Sequence, residues 1–157
     1  QQRYYRAFKE KYGGVSAWHE DLQREAVEKR VVTLPSGRQY AFPDARWTKY
    51  GTATHRTNIC NYPVQGFATA DLLPAALVRL DKLFQENKLR SVICNTVHDS
   101  IVLDCHPDEF DICIKLMREA MLSLPEETER RYGVTYDMPV EIEIKSGDNW
   151  LDLHVVV

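Results

Sequence analysis

Hydrophobic positions change period several times along this chain, and each change marks an element. Near the start, Tyr5, Phe8 and Tyr12 recur at helical spacing, and Gly13-Gly14 is expected to end that helix. Ser16 is the expected N-cap of a second helix running to about Lys29, with Val15, Trp18, Leu22 and Ala26 on one side. Residues 31–34 and 39–42 flank Pro35-Ser36-Gly37-Arg38 and read as a β-hairpin with glycine in its loop. Periodicity then lapses over residues 44–57, a connector in which Arg46, Lys49, His55 and Arg56 interleave with Trp47 and Tyr50. Helical spacing returns from near Tyr62 to Asn87 through the stripe Gly66, Ala70, Leu73, Leu77, Leu80 and Phe84. Pro74 lies inside that stretch and removes one backbone donor, so a kink or a loosened turn is expected there.

The most distinctive pattern spans residues 91–105. Two β-forming runs, 92–97 and 101–103, enclose only His98-Asp99-Ser100, which reads as a hairpin. With no glycine at the bend, Asp99 is the residue expected to supply the left-handed backbone conformation. Pro107 and Asp108 then open a helix with Phe110, Cys113, Ile114, Met117, Met121 and Leu124 as its apolar stripe. Residues 125–136 read as a charged connector. Residues 139–144 alternate Val140, Ile142 and Ile144 with Glu141 and Glu143, as a half-buried strand does, and Gly147 closes it. The expected class is α+β: a small antiparallel sheet of the central hairpin and the C-terminal strand, with the helices at about 62–87 and 108–124 on one face. A helix pair and the first hairpin precede it. All 157 residues are expected to form one region, with helix pair, hairpin and basic connector in 1–57 and the remainder in 58–157.

Composition adds little until it is divided. The formal net charge is −3, which argues against a general nucleic-acid binder. Yet residues 1–56 hold 11 Lys/Arg against 6 Asp/Glu, whereas the rest hold 9 against 17. That asymmetry suits one face for phosphates and another for metal or solvent. No apolar run approaches a membrane span, and the polar residues 1–13 do not read as a signal peptide. Cys60, Cys94, Cys105 and Cys113 form no Cys-x-x-Cys pair, so reduced thiols in a cytoplasmic protein are expected; Cys94 and Cys105 could approach one another across the hairpin.

Candidate chemistry concentrates at Asp99. A carboxylate on a rigid strand tip is a natural ligand for Mg²⁺, a hard ion that seeks oxygen. Asn61 and Gln65 stand four residues apart and so share a helix face, where each offers a donor and an acceptor. The basic, aromatic connector suits a strand of nucleic acid.

Val-His-Asp at 97–99 between two apolar strands, Asn-Tyr-Pro-Val-Gln-Gly at 61–66 and Gly-Asp-Asn-Trp at 147–150 occur in that order. Together they resemble the C-terminal end of family A DNA polymerases, the bacterial polymerase I and phage type. Residues from Tyr4-Tyr5 through Thr33-Leu34-Pro35-Ser36-Gly37-Arg38 resemble the same family's helix pair and hairpin between fingers and palm, so the likeness covers essentially the whole chain. The resemblance implies template-directed nucleotidyl transfer with two Mg²⁺ ions on primer–template DNA and dNTP. It makes Asp99 the metal-binding palm aspartate, with His98 near the primer terminus and Asn61 and Gln65 touching the duplex there. Arg56 would be a template-contacting arginine, one residue further from Asn61 than the family spacing. Ser100 stands where the family usually has Glu, and a hydroxyl cannot supply that second negative charge.

The family's first metal aspartate, in an Asp-Tyr-Ser-like motif, and its nucleotide-binding fingers helix have no counterpart in the sequence. A second carboxylate is therefore expected from outside the chain, and the chain alone is expected not to polymerise DNA. Starting inside an apparent helix without an initiating Met, it is expected to be a piece of a polymerase or one part of a split one, working with the remainder of that enzyme. A non-catalytic primer–template binding module on the same scaffold is the alternative. A His-Asp phosphohydrolase would need further ligands, and His19, His55, His106 and His154 show no helical pairing to provide them.

Overall fold

The computed structural model describes residues 2–157, the side chains of Gln2, Arg3 and Tyr5 excepted. It has two compact units, one up to Phe67 and the other from Ala68 to Val157. The class is α+β, as expected, with helices accompanied by short antiparallel ladders.

In the first unit, α1 (Gln2–Lys11) and α2 (Gly13–Lys29) are separated by Tyr12 alone. Gly13 and Gly14 therefore open the second helix rather than end the first, and Ser16 lies inside it instead of capping it. The local reason is that Tyr12 itself breaks the helical conformation (φ −117°, ψ 49°), and the chain re-enters the helix at once. Of the expected aromatic trio, Tyr5 falls outside the described side chains; the rings of Phe8 and Tyr12 lie 4.8 Å apart. Arg30 ends α2 in the left-handed region, its N–H donating to the Ala26 carbonyl. The hairpin of β1 (Val31–Thr33) and β2 (Gln39–Ala41) follows, with Gly37 at φ 84° in the turn. Leu22, Ala26, Val32, Phe42, Ala45, Ala53 and Ile59 form one core from α2, the hairpin, the connector and the next helix.

The long helix expected from Tyr62 to Asn87 is three elements: α3 (Arg56–Gln65), a π-helical stretch (Gly66–Leu72) and α4 (Leu73–Glu86). Pro74 sits in the first turn of α4 and cannot donate back to the carbonyl four residues earlier. The widened turns just before it absorb that loss, a loosening rather than a break.

In the second unit, β3 (Val92–Val97) and β4 (Ser100–Asp104) form the central hairpin. Pro107–Glu109 makes a 3₁₀ turn before α5 (Phe110–Leu122). Cys113 of the expected stripe is buried and Met117 packs beside it, but the buried line of α5 continues through Leu116 and Ala120, and it packs with Leu80, Leu83 and Phe84 of α4. Residues expected to be a charged connector form α6 (Leu124–Tyr132): Pro125 suits a first turn, Glu126 and Glu127 the positive end, Arg130 and Arg131 the negative end. Residues 139–144 keep the expected alternation of burial, with Ile144 buried, but form no strand with the central hairpin; Ile144 at their end donates its N–H to the Val157 carbonyl and accepts the Val156 N–H, both at 2.9 Å. Pairing falls instead on β5 (Lys145–Ser146) with β6 (His154–Val155), a ladder separate from the central hairpin. A side chain at Gly147 would strike the Asp152 carbonyl 2.6 Å away, so the return turn requires glycine. Among the described residues no helix is long and apolar enough to cross a membrane.

Candidate functional site

The bend between β3 and β4 holds two residues, with Val97 and Ser100 paired across it. The left-handed residue is His98 (φ 55°), not Asp99 as expected. His98 is among the non-glycine types that tolerate this region, and placing it there frees Asp99 of that constraint. The Ser100 hydroxyl donates to the Val97 carbonyl at 2.8 Å, stapling the bend. His98, Asp99 and Ser100 are all exposed.

Behind the tip, the ladder shifts register between Ile93 and Asn95, so Cys94 is the extra residue of a bulge. Its thiol points to the Val102 carbonyl at 3.4 Å, while the Cys105 thiol lies 4.0 Å from the Ser91 hydroxyl, so the two thiols do not meet across the strands. All four cysteines are free. Burial pushes the Cys113 thiol up to about 11, and it stays protonated.

The hairpin's base is held by Ser91 and Glu109. The buried Ser91 donates its hydroxyl to Glu109 Oε2 at 2.7 Å and accepts from the His106 N–H at 2.9 Å. Glu109 also takes the Arg90 and Ser91 backbone N–H groups, at 3.0 and 2.8 Å. The Ser91 hydroxyl, followed by the Arg90 amide, holds this carboxyl at about 2 rather than its ordinary 4.5. The sequence shows Glu109 only as a charge at a helix start; its role in tying strand entry, strand exit and helix together needs the fold.

Asp99 lines a cavity of about 310 Å³ with Ala68, Leu73, Met121, Tyr136 and Glu141. Glu141 is the residue that sequence reasoning missed. The alternation of 139–144 marks it as outward-facing, but no local signal says that it faces Asp99's cavity. Among the described residues no three or more His, Cys, Asp or Glu gather as a metal cage. Mg²⁺, however, is commonly held by one or two carboxylates, with substrate phosphates and water completing the shell. An exposed aspartate on a hydrogen-bonded tip fits one such position.

In the other unit, Asn61 and Gln65 lie in the second half of α3, not its first turns, because the helix begins at Arg56. Both are exposed and share a face. Arg56, also exposed, lies about 140° around the helix from Asn61, since a residue advances about 100°. It therefore does not join that face. Pro63 inside α3 is buried, and Gly66 just beyond it is packed beneath the Tyr40 ring, which in turn contacts Tyr62 at 5.3 Å.

Comparison with known proteins agrees over most of the chain. The sequence model of DNA polymerase family A matches residues 1–152. DNA polymerase I of Lactococcus lactis subsp. cremoris is 30% identical over 151 residues, 95% of this chain and 16% of that protein. The DNA polymerase of Bacillus phage SP01 is 32% identical over 139 residues, 88% of this chain and 15% of that protein. A solved structure of the POL domain of Pol1 from M. smegmatis, in complex with DNA primer-template and dNTP, superposes with a TM-score of 0.68 at 25% identity. It covers 85% of this chain and 22% of that one. The chain thus spans about a sixth of the length of the curated relatives it matches.

Proposed function

The chain belongs to DNA polymerase family A, and from that premise we propose that it is the C-terminal, palm-bearing part of a DNA-directed DNA polymerase. The observation that carries this reading is Asp99, exposed at the tip of a stapled hairpin and opening into a cavity of its own unit. In this role Asp99 is one carboxylate ligand of catalytic Mg²⁺, and the second comes from a segment outside this chain. When bound, the metal neutralises charge that develops on the transferring phosphoryl group.

The chain's own residues supply position. A two-residue bend held by the Ser100 hydroxyl keeps Asp99 fixed without a mobile loop, and sites on strands are more exact than sites on loops. His98, beside it, faces the primer end. The amides Asn61 and Gln65 address the minor-groove acceptors that every base pair shares, so they sense correct pairing without reading sequence. Arg56 belongs to the template side, consistent with its place away from the amide face. The same reading holds that the chain alone does not polymerise, because one ligand carboxylate does not clamp two ions.

Complementation tests it. The chain alone should give no primer extension; mixed with a segment carrying the fingers and the first palm motif, it should give Mg²⁺-dependent extension that Asp99→Ala abolishes. Extension indifferent to Asp99→Ala would remove Asp99 from the chemistry. Duplex binding with no extension under any complement would leave a primer–template binding module. Gln65→Ala should weaken binding to a primed duplex.

A further inference from the structure

Within the first unit, residues 46–54 fold back on themselves in a way that the roles above do not use. Trp47 and Ala53 form an antiparallel bridge. The Thr48 N–H donates to the Thr52 carbonyl at 2.8 Å, and Gly51 N–H to the Thr48 carbonyl at 3.1 Å. The Thr48 and Thr52 hydroxyls are 3.2 Å apart, and the Tyr50 N–H reaches the Thr48 hydroxyl at 3.3 Å. Thr54 closes the base by accepting from the Arg46 N–H and donating to the Asp44 carbonyl. From beneath, the buried Gln23 of α2 accepts the Ala53 N–H at 3.0 Å.

This small hairpin is thus rigid and anchored, yet it turns its large rings outward. Trp47 is 48% exposed and Tyr50 78%. A loop that needed them for its own stability would bury them. The segment also carries Arg46 and Lys49, and Arg56 opens the helix that follows it; all three are exposed, against the single carboxylate Asp44 in residues 43–57. Among the described residues none of the three cations has a carboxylate partner within ion-pair distance. Lys49 lies 5.1 Å from the centroid of the Tyr50 ring, so ring and cation already occur as a pair.

We propose that the 46–54 hairpin is a stacking platform for single-stranded DNA, Trp47 and Tyr50 each taking a base face while Arg46, Lys49 and Arg56 follow the phosphates. Base–aromatic stacking tolerates any sequence, and a backbone already fixed by its own hydrogen bonds loses little entropy on binding. Charge complementarity selects this occupant: three exposed cations that no described carboxylate neutralises, together with exposed rings, suit a polyanion with π-faces, not an apolar protein surface. The inference rests on the polymerase reading for the ligand's nature, an unpaired strand beside a primed duplex.

The test measures affinity of the full chain for a thymidine oligonucleotide and for a blunt duplex at low salt. Tyr50→Ala and Trp47→Ala should each weaken single-strand binding on the order of tenfold, Tyr50→Phe should retain it, and Lys49→Gln should flatten its salt dependence. Blunt-duplex affinity should not change with either ring. Unchanged folding by circular dichroism is expected for Tyr50→Ala, whose ring is mostly in solvent, so that variant decides the matter if Trp47→Ala unfolds. Absent single-strand binding, or binding indifferent to Tyr50→Ala, overturns the platform. A response of the duplex to Gln65→Ala without any response of the single strand to the rings would leave the polymerase reading standing and the platform refuted; the reverse pattern would refute the duplex contact alone.

Discussion

The hairpins β1–β2 and β3–β4 bury in inverse order of their length. The first has three residues in each strand, yet Val32 is fully buried and Tyr40 packs against the same core. The second has six and five residues, and none of them is buried; Ile93, Ile101 and Leu103 lie only partly covered against α4 and α5. Strand-forming residues such as Val92 and Val97 satisfy their backbones in the ladder while their side chains face solvent. β-propensity therefore reports pleated pairing, and burial is a separate question answered by what covers each face. The short hairpin holds its unit together. The long one presents a bend, and presenting Asp99 requires that the bend stay open.

The sharpest way to break that contrast is to attack the short hairpin's support. The ring and hydroxyl of Tyr40 occupy the space where a Cβ on Gly66 would go. Gly66→Ala, though favourable for a helix in isolation, should therefore destabilise by about 2–3 kcal/mol through overpacking. Urea unfolding followed by circular dichroism reads it, and a neutral or stabilising result would mean that Tyr40 moves freely. Smaller effects should separate the hairpins directly. Val32→Ala should cost about 2 kcal/mol, from lost burial and a cavity, and Val97→Thr less than about 0.5 kcal/mol, because Val97 is a partly exposed strand residue. Equal costs at the two positions would erase the distinction.

Sequence carried the class, the order of most elements and both hairpins, because local periodicity and turn chemistry determine these. The segment 139–144 shows where that legibility stops. Its alternation correctly marked Ile144 as buried and Glu141 as exposed, but alternation says nothing about a partner strand, and the ladder begins only at Lys145, the residue after the segment. Residues 125–136 looked like a connector because they are charged; Pro125, the acidic start and the basic end were the helix signals, and they outweighed the missing apolar stripe. The bend at 98–99 was legible as a bend, though not which residue would turn left-handed. At the site, Asp99 was conspicuous, whereas Glu141 entered its cavity by a tertiary approach of 42 positions in sequence that no spacing encodes.

The finest test concerns the base of the long hairpin, where one carboxylate substitutes for the burial that the strands lack. Glu109 is held at about 2 in the folded chain against an ordinary 4.5, chiefly by the Ser91 hydroxyl and then by the Arg90 amide. A lowered carboxyl stabilises the fold fully above the ordinary value, and that contribution is lost as pH falls through the folded value. Glu109→Gln should thus lower stability at neutral pH, and the gap between the two proteins should begin to narrow below about pH 4.5 and close near pH 2. Thermal unfolding of both across that range provides the measurement. Hydrogen exchange at Val92 and Ile93 should quicken in the variant while exchange at Val32 does not, since only the β3–β4 hairpin depends on the Ser91–Glu109 clasp. A gap that stays constant from neutral to acid pH would show that Glu109 acts by shape alone, and that the long hairpin's base stands without its charge.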